Sequence, residues 1–224
     1  MFGPIMQVVV NDDLTVRLAP FTREDSGKFV ENGGMQHHTV TQYLGRAHSA
    51  PTLEDELKWY DMIWQQEDSR MWGVWVGEAD GQKFIGTSGL HHIGGQHFRS
   101  AVSGSMIFDT SYWGRGIARS IHRARMWYAF TQLRLIQIKS CAIHVNTASL
   151  RALKGCGYET VGFERNVHFV NGQFGHHENL ECINPDPALW DSWWHNDEVP
   201  SSFIAARQRT LQAMEWADKH VTLL

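Results

Sequence analysis

Gly114 and Gly116 stand one residue apart in FDTSYWGRGIARSIHRAR, residues 108–125, where an apolar run gives way to a helical pattern. Glycine lets a backbone approach another group closely, and the unpaired N–H groups at a helix start favour anions. The stretch Gly114, Arg115, Gly116, Ile117 and Ala118 therefore reads as a phosphate cradle. Arg115, Arg119 and Arg123 follow at intervals of four on one helix face, suited to phosphate oxygens or, equally, to a solvated basic face. Histidine pairs at 37–38, 91–92 and 176–177 are a second source of chemistry. None has a metal-ligand spacing such as His-Glu-x-x-His, so they read as acid–base groups rather than as a metal site. Trp190, Trp193 and Trp194 crowd a C-terminal stretch and suit a lid, an acceptor pocket, a homodimer contact or the cover of a helix groove.

The elements that must position these residues follow from the periodicity. Residues 14–21 alternate as a strand, and Thr52 with Asp55 opens a helix carrying Leu53, Leu57, Tyr60 and Ile63 or Trp64 at helical spacing. Two strand-like runs flank Ala79-Asp80-Gly81-Gln82, and two more flank Asn171-Gly172; both are hairpin signals. Residues 31–34, ENGG, read as a turn. A third strand covers 100–108, and Ile117, Ile121, Ala124 and Tyr128 then share one buried helix face. Residues 133–145 are β-rich, and Asn146 or Thr147 caps a short helix that stops at Gly157. The expected order is β-α-α-β-β-β-α-β-α-β-β, an α/β (α+β) arrangement over residues 1–183. The two prolines of NPDP then lead into a Trp-rich extension, 184–224, with an amphipathic helix.

With 224 residues, 42% of them hydrophobic, the chain suits one globular domain with an appendage. A net charge of −4 disfavours wholesale nucleic-acid binding and mildly suits a cationic partner. No run reaches the ~20 apolar residues of a membrane span, and residues 1–13 lack the basic start of a signal peptide. Cys141, Cys156 and Cys182 are too scattered for a disulfide framework or zinc cluster and read as reduced core residues of a cytoplasmic protein.

Strand, glycine turn, arginine-bearing helix, strand, then NTASLRALKGCGY together resemble the GCN5-related N-acetyltransferases, more closely their ribosomal-protein N-terminal acetyltransferase branch. The family signature, Gln/Arg-x-x-Gly-x-Gly/Ala, is matched by Ser111-Tyr112-Trp113-Gly114-Arg115-Gly116 except at its first position. Asn146, Ser149, Gly157 and Tyr158 match a second motif, Asn-x-x-Ser followed by Gly-aromatic. TLEDELKWYDMIWQQEDSRMWGVWV, IGTSGLHHI and VNGQFGHHE are further similar blocks, and the likeness spans residues 14–183.

The resemblance implies a mixed, mostly antiparallel sheet flanked by helices and direct acetyl transfer from acetyl-CoA, without a metal, to an amine-bearing acceptor. That acceptor is a protein N-terminal amine or a small amine such as a polyamine or aminoglycoside; a weak acyl-CoA sensor is the alternative. It places the diphosphate on the amides around Trp113, Gly114, Arg115, Gly116, Ile117, Ala118 and Arg119, with Asn146 as a further ligand. The pantetheine and thioester carbonyl fall to backbone amides around Met106, Ile107 and Phe108. The family's acid tyrosine is replaced by Leu153, which leaves Ser149 as the favoured proton donor. The usual strand glutamate is also missing, and His91, His92 or Glu178 stands in as base, or water serves.

Overall fold

The structure, a computed structural model, describes residues 1–224 apart from 32–33, 45–49, 78–80 and 95–98. Its strands are β1 (Met6–Asn11), β2 (Leu14–Ala19), β3 (Arg70–Val76), β4 (Lys83–His91) and β5 (Ser100–Ile107), then β6 (Gln137–Ile143), β7 (Glu159–Val170), β8 (Gln173–Ile183) and β9 (Val221–Leu223). The helices are α1 (Lys28–Glu31), α2 (His38–Thr41), α3 (Leu53–Gln65), α4 (Ile117–Thr131), α5 (Thr147–Lys154), α6 (Pro187–Trp194) and α7 (Ser201–His220). Among the described residues the strands form one sheet in the order β7-β8-β6-β5-β4-β3-β2-β1-β9. Every pairing is antiparallel except β5 with β6. This is the mixed, mostly antiparallel sheet expected from the sequence.

Side-chain alternation along the strands sends two apolar clusters to opposite faces. Trp72, Val74, Ile85 and Leu90 pack with Ile117, Ile121 and Ala124 of α4, all nearly inaccessible. Met71 and Phe84 face the other way, onto Phe29 of α1 and Ile63 of α3. The face of α4 read from its periodicity is therefore the buried one.

Several expectations are corrected. β1 and β9 lie outside the expected order. Met6 and Val8 of β1 are fully buried between exposed neighbours, so MQVVVN is a half-buried strand pairing with both β2 and β9. Thr52 and Asp55 make the reciprocal capping box at the start of α3. Leu53 and Trp64, however, point outward at 46% and 61% exposure, and Trp64 lies over Phe2 and Tyr60 at the surface. Cys156 and Cys182 are buried but Cys141 is exposed. Asn171 and Gly172 join β7 to β8 with φ of 51° and 77°, the doubly left-handed backbone of a tight hairpin. Of the other hairpin signal, Ala79 and Asp80 lie outside the described residues, as do Asn32 and Gly33 of the expected turn.

The C-terminal extension shares the main core. Ala213, Ala217 and Val221 belong to the same cluster as α4 and β1. Trp127 Nε1 donates to Asp218 at 2.6 Å, and the Arg123 guanidinium lies 4.7 Å over the Trp216 ring. Two of the C-terminal tryptophans contact α7: Trp190 stacks under Arg207 and Trp194 meets Phe203, which docks α6 on α7.

Gly157 sets this docking. Its φ is +95°, and a Cβ there would lie 2.0 Å from Thr210 Oγ1 and 2.8 Å from the Ala206 carbonyl oxygen on α7. Gly157→Ala is expected to cost at least ~2 kcal/mol, from the left-handed backbone and the forced retreat of α7. The urea midpoint measures it, and a value unchanged from wild type contradicts the assignment.

Candidate active site

The site begins where β5 and β6 part. These parallel strands pair at Ser100–Gln137, Ala101–Ile138 and Val102–Lys139 and no further, although β5 runs on to Ile107 and β6 to Ile143. At the foot of the gap Ser140 Oγ donates to the Ser103 carbonyl at 3.1 Å, and Ser103 Oγ lies 3.1 Å from the hydroxyl of fully buried Tyr158. On its other edge β5 stays paired with β4 from Val102–His91 to Ile107–Gly86.

Antiparallel pairing decides which β5 amides face the gap. The Phe108 N–H donates to the Ile85 carbonyl at 2.9 Å. By strict alternation the N–H groups of Met106 and Phe108 point at β4, whereas those of Ser105 and Ile107 point into the gap. Of the three positions expected to offer amides, only Ile107 does so, and Ser105 joins it. Phe108 instead buries its ring against Phe84 and Phe29. Trp113 Nε1 donates to the Ile107 carbonyl at 2.8 Å and so ties the turn after β5 back to the strand end.

That turn leads into the glycines. Asp109 accepts from the Ser111 amide at 3.0 Å and pairs with Lys83 at 2.6 Å, fixing the approach to a 3-10 turn over Thr110–Tyr112. Gly114 and Gly116 have φ of +74° and +83°; no atom lies within 4 Å of a Cβ built on Gly114, and only Val10 Cγ1, at 3.6 Å, near one on Gly116. Gly116 is the N-cap of α4, and the first helical bond runs from Ser120 N–H to the Gly116 carbonyl at 3.1 Å. The amides of Ile117, Ala118 and Arg119 thus open the helix without intrahelical acceptors. Bare backbone, open space and the positive end of the helix dipole fit a phosphate.

The three arginines do not form one row. Arg115 precedes α4 and lies over the Tyr112 ring at 5.1 Å, while Arg123 is turned to Trp216. Arg119 is exposed, and with Arg151, Lys154, Gly155 and Arg209 it lines a shallow groove of about 450 Å³ between α4, α5 and α7. A strand pair parted over a glycine-capped helix, with a cationic groove alongside, is a place to lay a long phosphorylated cosubstrate.

The chain matches the model of the acetyltransferase (GNAT) domain family over residues 15–159. It belongs to the GNAT acetyltransferase family. It is 28% identical, over 63% of its length and 78% of the relative's, to the probable N-acetyltransferase YjcK of Bacillus subtilis. A second relative from that organism, the uncharacterized N-acetyltransferase YoaA, is 26% identical over 59% of this chain and 74% of its own. The fold is similar to that of a spermidine N-acetyltransferase from Vibrio cholerae solved in complex with CoA and spermine. That likeness has a TM-score of 0.64 and 21% identity over 78% of this chain and 97% of the other.

In this GNAT acetyltransferase the candidate catalytic side chains are placed very differently. Gly89 on β4 and Gly104 on β5 lie opposite each other on the α1–α3 face beside the gap, and only Gly104 faces open space. A Cβ on Gly89 would lie 2.3 Å from Met71 Sδ and 2.9 Å from His91 Nε2, so the thioether and the imidazole cover that glycine; a Cβ on Gly104 would meet nothing within 4 Å. His91 Nδ1 is 3.4 Å from Ser69 Oγ. Burial, then the charge of Arg125, lowers the His91 pKa from its ordinary value, so at neutral pH the ring is an acceptor. His92 instead sits at the strand end with φ of 55°, exposed and 3.4 Å from Asp68.

Glu178 is engaged elsewhere. Its buried carboxylate pairs with Lys154 at 2.5 Å and accepts a hydrogen bond from Thr160. Burial acts to raise its pKa, but Lys154 and Thr160 outweigh this and hold it below the ordinary value. Such a group is a weak base. On α5, Asn146 Oδ1 caps the helix by accepting from the Ser149 amide at 3.2 Å, and Ser149 itself is half-buried. Leu153, at the position of the family's acid tyrosine, is buried in the core. Of the paired histidines, His176 stacks on His144 at 4.9 Å and His177 contacts His168. Among the described residues no three His, Cys, Asp or Glu groups are placed to hold a metal ion.

Arg125 is the residue that sequence reasoning missed. It is fully buried, and its NH1 donates to Ser88 Oγ at 2.9 Å, the Gly104 carbonyl at 2.6 Å and Ser105 Oγ at 2.5 Å. A signal was present: Arg125 is eight residues from Ile117, in phase with the apolar face of α4.

Gly116→Trp is expected to abolish CoA binding in calorimetry while circular dichroism stays native, because the indole would fill the cradle. Wild-type affinity in that variant would remove the cradle from the site.

Proposed function

We propose that this acetyltransferase moves the acetyl group of acetyl-CoA directly onto the α-amine of a protein or peptide N-terminus. One observation carries the choice of acceptor. A pocket of about 160 Å³ lies between the end of β6 and the tip of the β7–β8 hairpin, lined by Gln42, Tyr43, Val145, Asn171, Gln173 and Phe174 among others. The tip is tied to α2 and the residue after it by Asn171, whose Oδ1 accepts from His38 Nε2 at 2.9 Å and whose Nδ2 donates to Gln42 Oε1 at 3.1 Å. Among the described residues no carboxylate lines this pocket. A polyamine enters as a multiple cation and needs acids to replace its water. An α-amine, with pKa ~7.7–8.0, is already partly neutral near physiological pH, and neutral amides and an aromatic ring suit the peptide behind it.

In this reading the amides opening α4 hold the diphosphate, and Arg119 and Arg151 meet further phosphate charge. The Ser105 and Ile107 N–H groups donate to the thioester oxygen as negative charge grows on it. The amine nitrogen attacks the carbonyl carbon, its proton passes to His91 Nε2, directly or through a water, and the carbon–sulfur bond breaks. Ser149 is the proposed proton donor to the departing sulfur, and Asn146 holds the helix start that carries it.

A polyamine acceptor is the second reading, favoured by the fold shared with the spermidine N-acetyltransferase. Thiol release from acetyl-CoA across free-N-terminal peptides, spermidine and an aminoglycoside separates the two. Turnover is expected with the peptides and lost when their N-termini are blocked; preferential turnover of spermidine selects the second reading.

The pH dependence tests His91. Its lowered pKa means that kcat at saturating amine holds down to neutral pH and falls only below the ordinary imidazole value, about 6.5, as the ring gains a proton. His91→Gln is expected to lose on the order of 100-fold in kcat at pH 7 and to lack that acidic limb. An unaltered limb assigns the base elsewhere. Ser149→Ala is expected to lower kcat while CoA affinity stays within about threefold of wild type, as expected for a group acting only in the transition state; wild-type turnover excludes it.

A further inference from the structure

Arg125 raises a physical question that packing alone does not answer. It is inaccessible to solvent, an arginine remains charged in proteins, and a buried charge is costly unless paired. No carboxylate among the described residues pairs with it. Its partners are two serine hydroxyls, the Gly104 carbonyl, the Tyr158 side chain and His122, whose Nδ1 lies 2.6 Å from NH2; Nε has no partner. Neutral acceptors hold the cation in place, so its field reaches across β5 uncancelled.

The position of the Gly104 contact is what matters. The Gly104 carbonyl and the Ser105 N–H are the two ends of one peptide group. The carbonyl end points to β4 and takes the 2.6 Å bond from Arg125, and the N–H end points into the gap between β5 and β6. A charge-assisted bond at the oxygen of an amide draws electron density from its nitrogen and makes the N–H a stronger donor. Ser105 Oγ, 2.5 Å from the same NH1, and Ser88 Oγ, 3.2 Å from Ser105 Oγ, fix the unit from both strands.

We propose that Arg125 is a positioning residue that polarises the Gly104–Ser105 peptide, so that the Ser105 N–H becomes the main stabiliser of the charge developing on the thioester oxygen. The proposal rests on the acetyl-transfer reading and adds a source for its electrostatic stabilisation. Arg125 touches neither substrate and exchanges no proton; it acts through the peptide bond. A role confined to packing would change stability and leave the donor strength at Ser105 alone.

The test uses acetyl-CoA carrying carbon-13 at the acetyl carbonyl, bound to the full chain without acceptor, and reads the carbonyl stretch by difference infrared spectroscopy. In the wild type the band is expected below that of free acetyl-CoA. Arg125→Met should return it toward the free position and lower kcat roughly 10- to 100-fold, with KM for acetyl-CoA within about threefold. Arg125→Lys, which keeps a charge, should recover part of both. A folded Arg125→Met with wild-type band and kcat overturns the proposal. If Arg125→Met does not fold, Ser105→Ala decides, since Ser105 is exposed and its hydroxyl is one of the supports of the guanidinium. A partial return of the band supports the proposal, and a wild-type band with wild-type kcat overturns it. Should the wild type show no CoA binding in calorimetry, the acetyl-transfer reading fails first and takes this inference with it; normal binding with an unshifted band sinks this inference alone.

Discussion

A backbone that leaves its neighbour must find other partners for its hydrogen-bonding groups, and the structure is organised around one such departure. After Val102 and Lys139 the two central parallel strands separate, and β5 continues with one edge unpaired. Three features keep this opening from collapsing. Ser140 and Tyr158 tie its foot through Ser103, Trp113 caps the last carbonyl, and β4 holds the opposite edge in register. The amides left facing the gap are the ones that an extended, amide-bearing cosubstrate can use. In the proposed reading, a guest continues the sheet's own hydrogen bonding there.

The two faces of that sheet then divide the labour. One carries α4, whose glycine-capped start fits an anion and whose buried stretch carries Arg125 beneath the strand. The opposite face carries Gly89, covered by Met71 and His91, and Gly104, which faces open space. In the proposed reading, cofactor and acceptor are handled on opposite faces of this strand and meet at the gap.

Much of this was legible in the residues. The glycine pair, the apolar face of α4, the capping box at Thr52 and the Asn171-Gly172 turn depend on local backbone preferences, which sequence states directly. What escaped was set by distant partners. MQVVVN becomes a strand because β2 and β9 flank it, and the amides of Met106 and Phe108 turn away from the gap because Phe108 is bonded to Ile85. Arg123 matched the spacing of a phosphate ligand but found Trp216, a neighbour 93 positions along the chain. Glu178 looked available as a base until Lys154 stood next to it. Arg125 was hidden by the habit of assigning helix arginines to the solvated face.

The edges of the sheet carry a consequence for colloidal behaviour. β9 screens β1 with only three residues, while β7 is a long outer strand that displays Val161, Phe163, Val167 and Phe169 to solvent. A flat strand with that many apolar groups would template the addition of others and seed fibrils. β7 is not flat: its register slips between Thr160 and Gly162 and again between Glu164 and His168, with Glu164 and Arg165 in the middle. Each slip coils the strand and breaks the row of equally spaced backbone groups, so this rim is a poor template for an added strand.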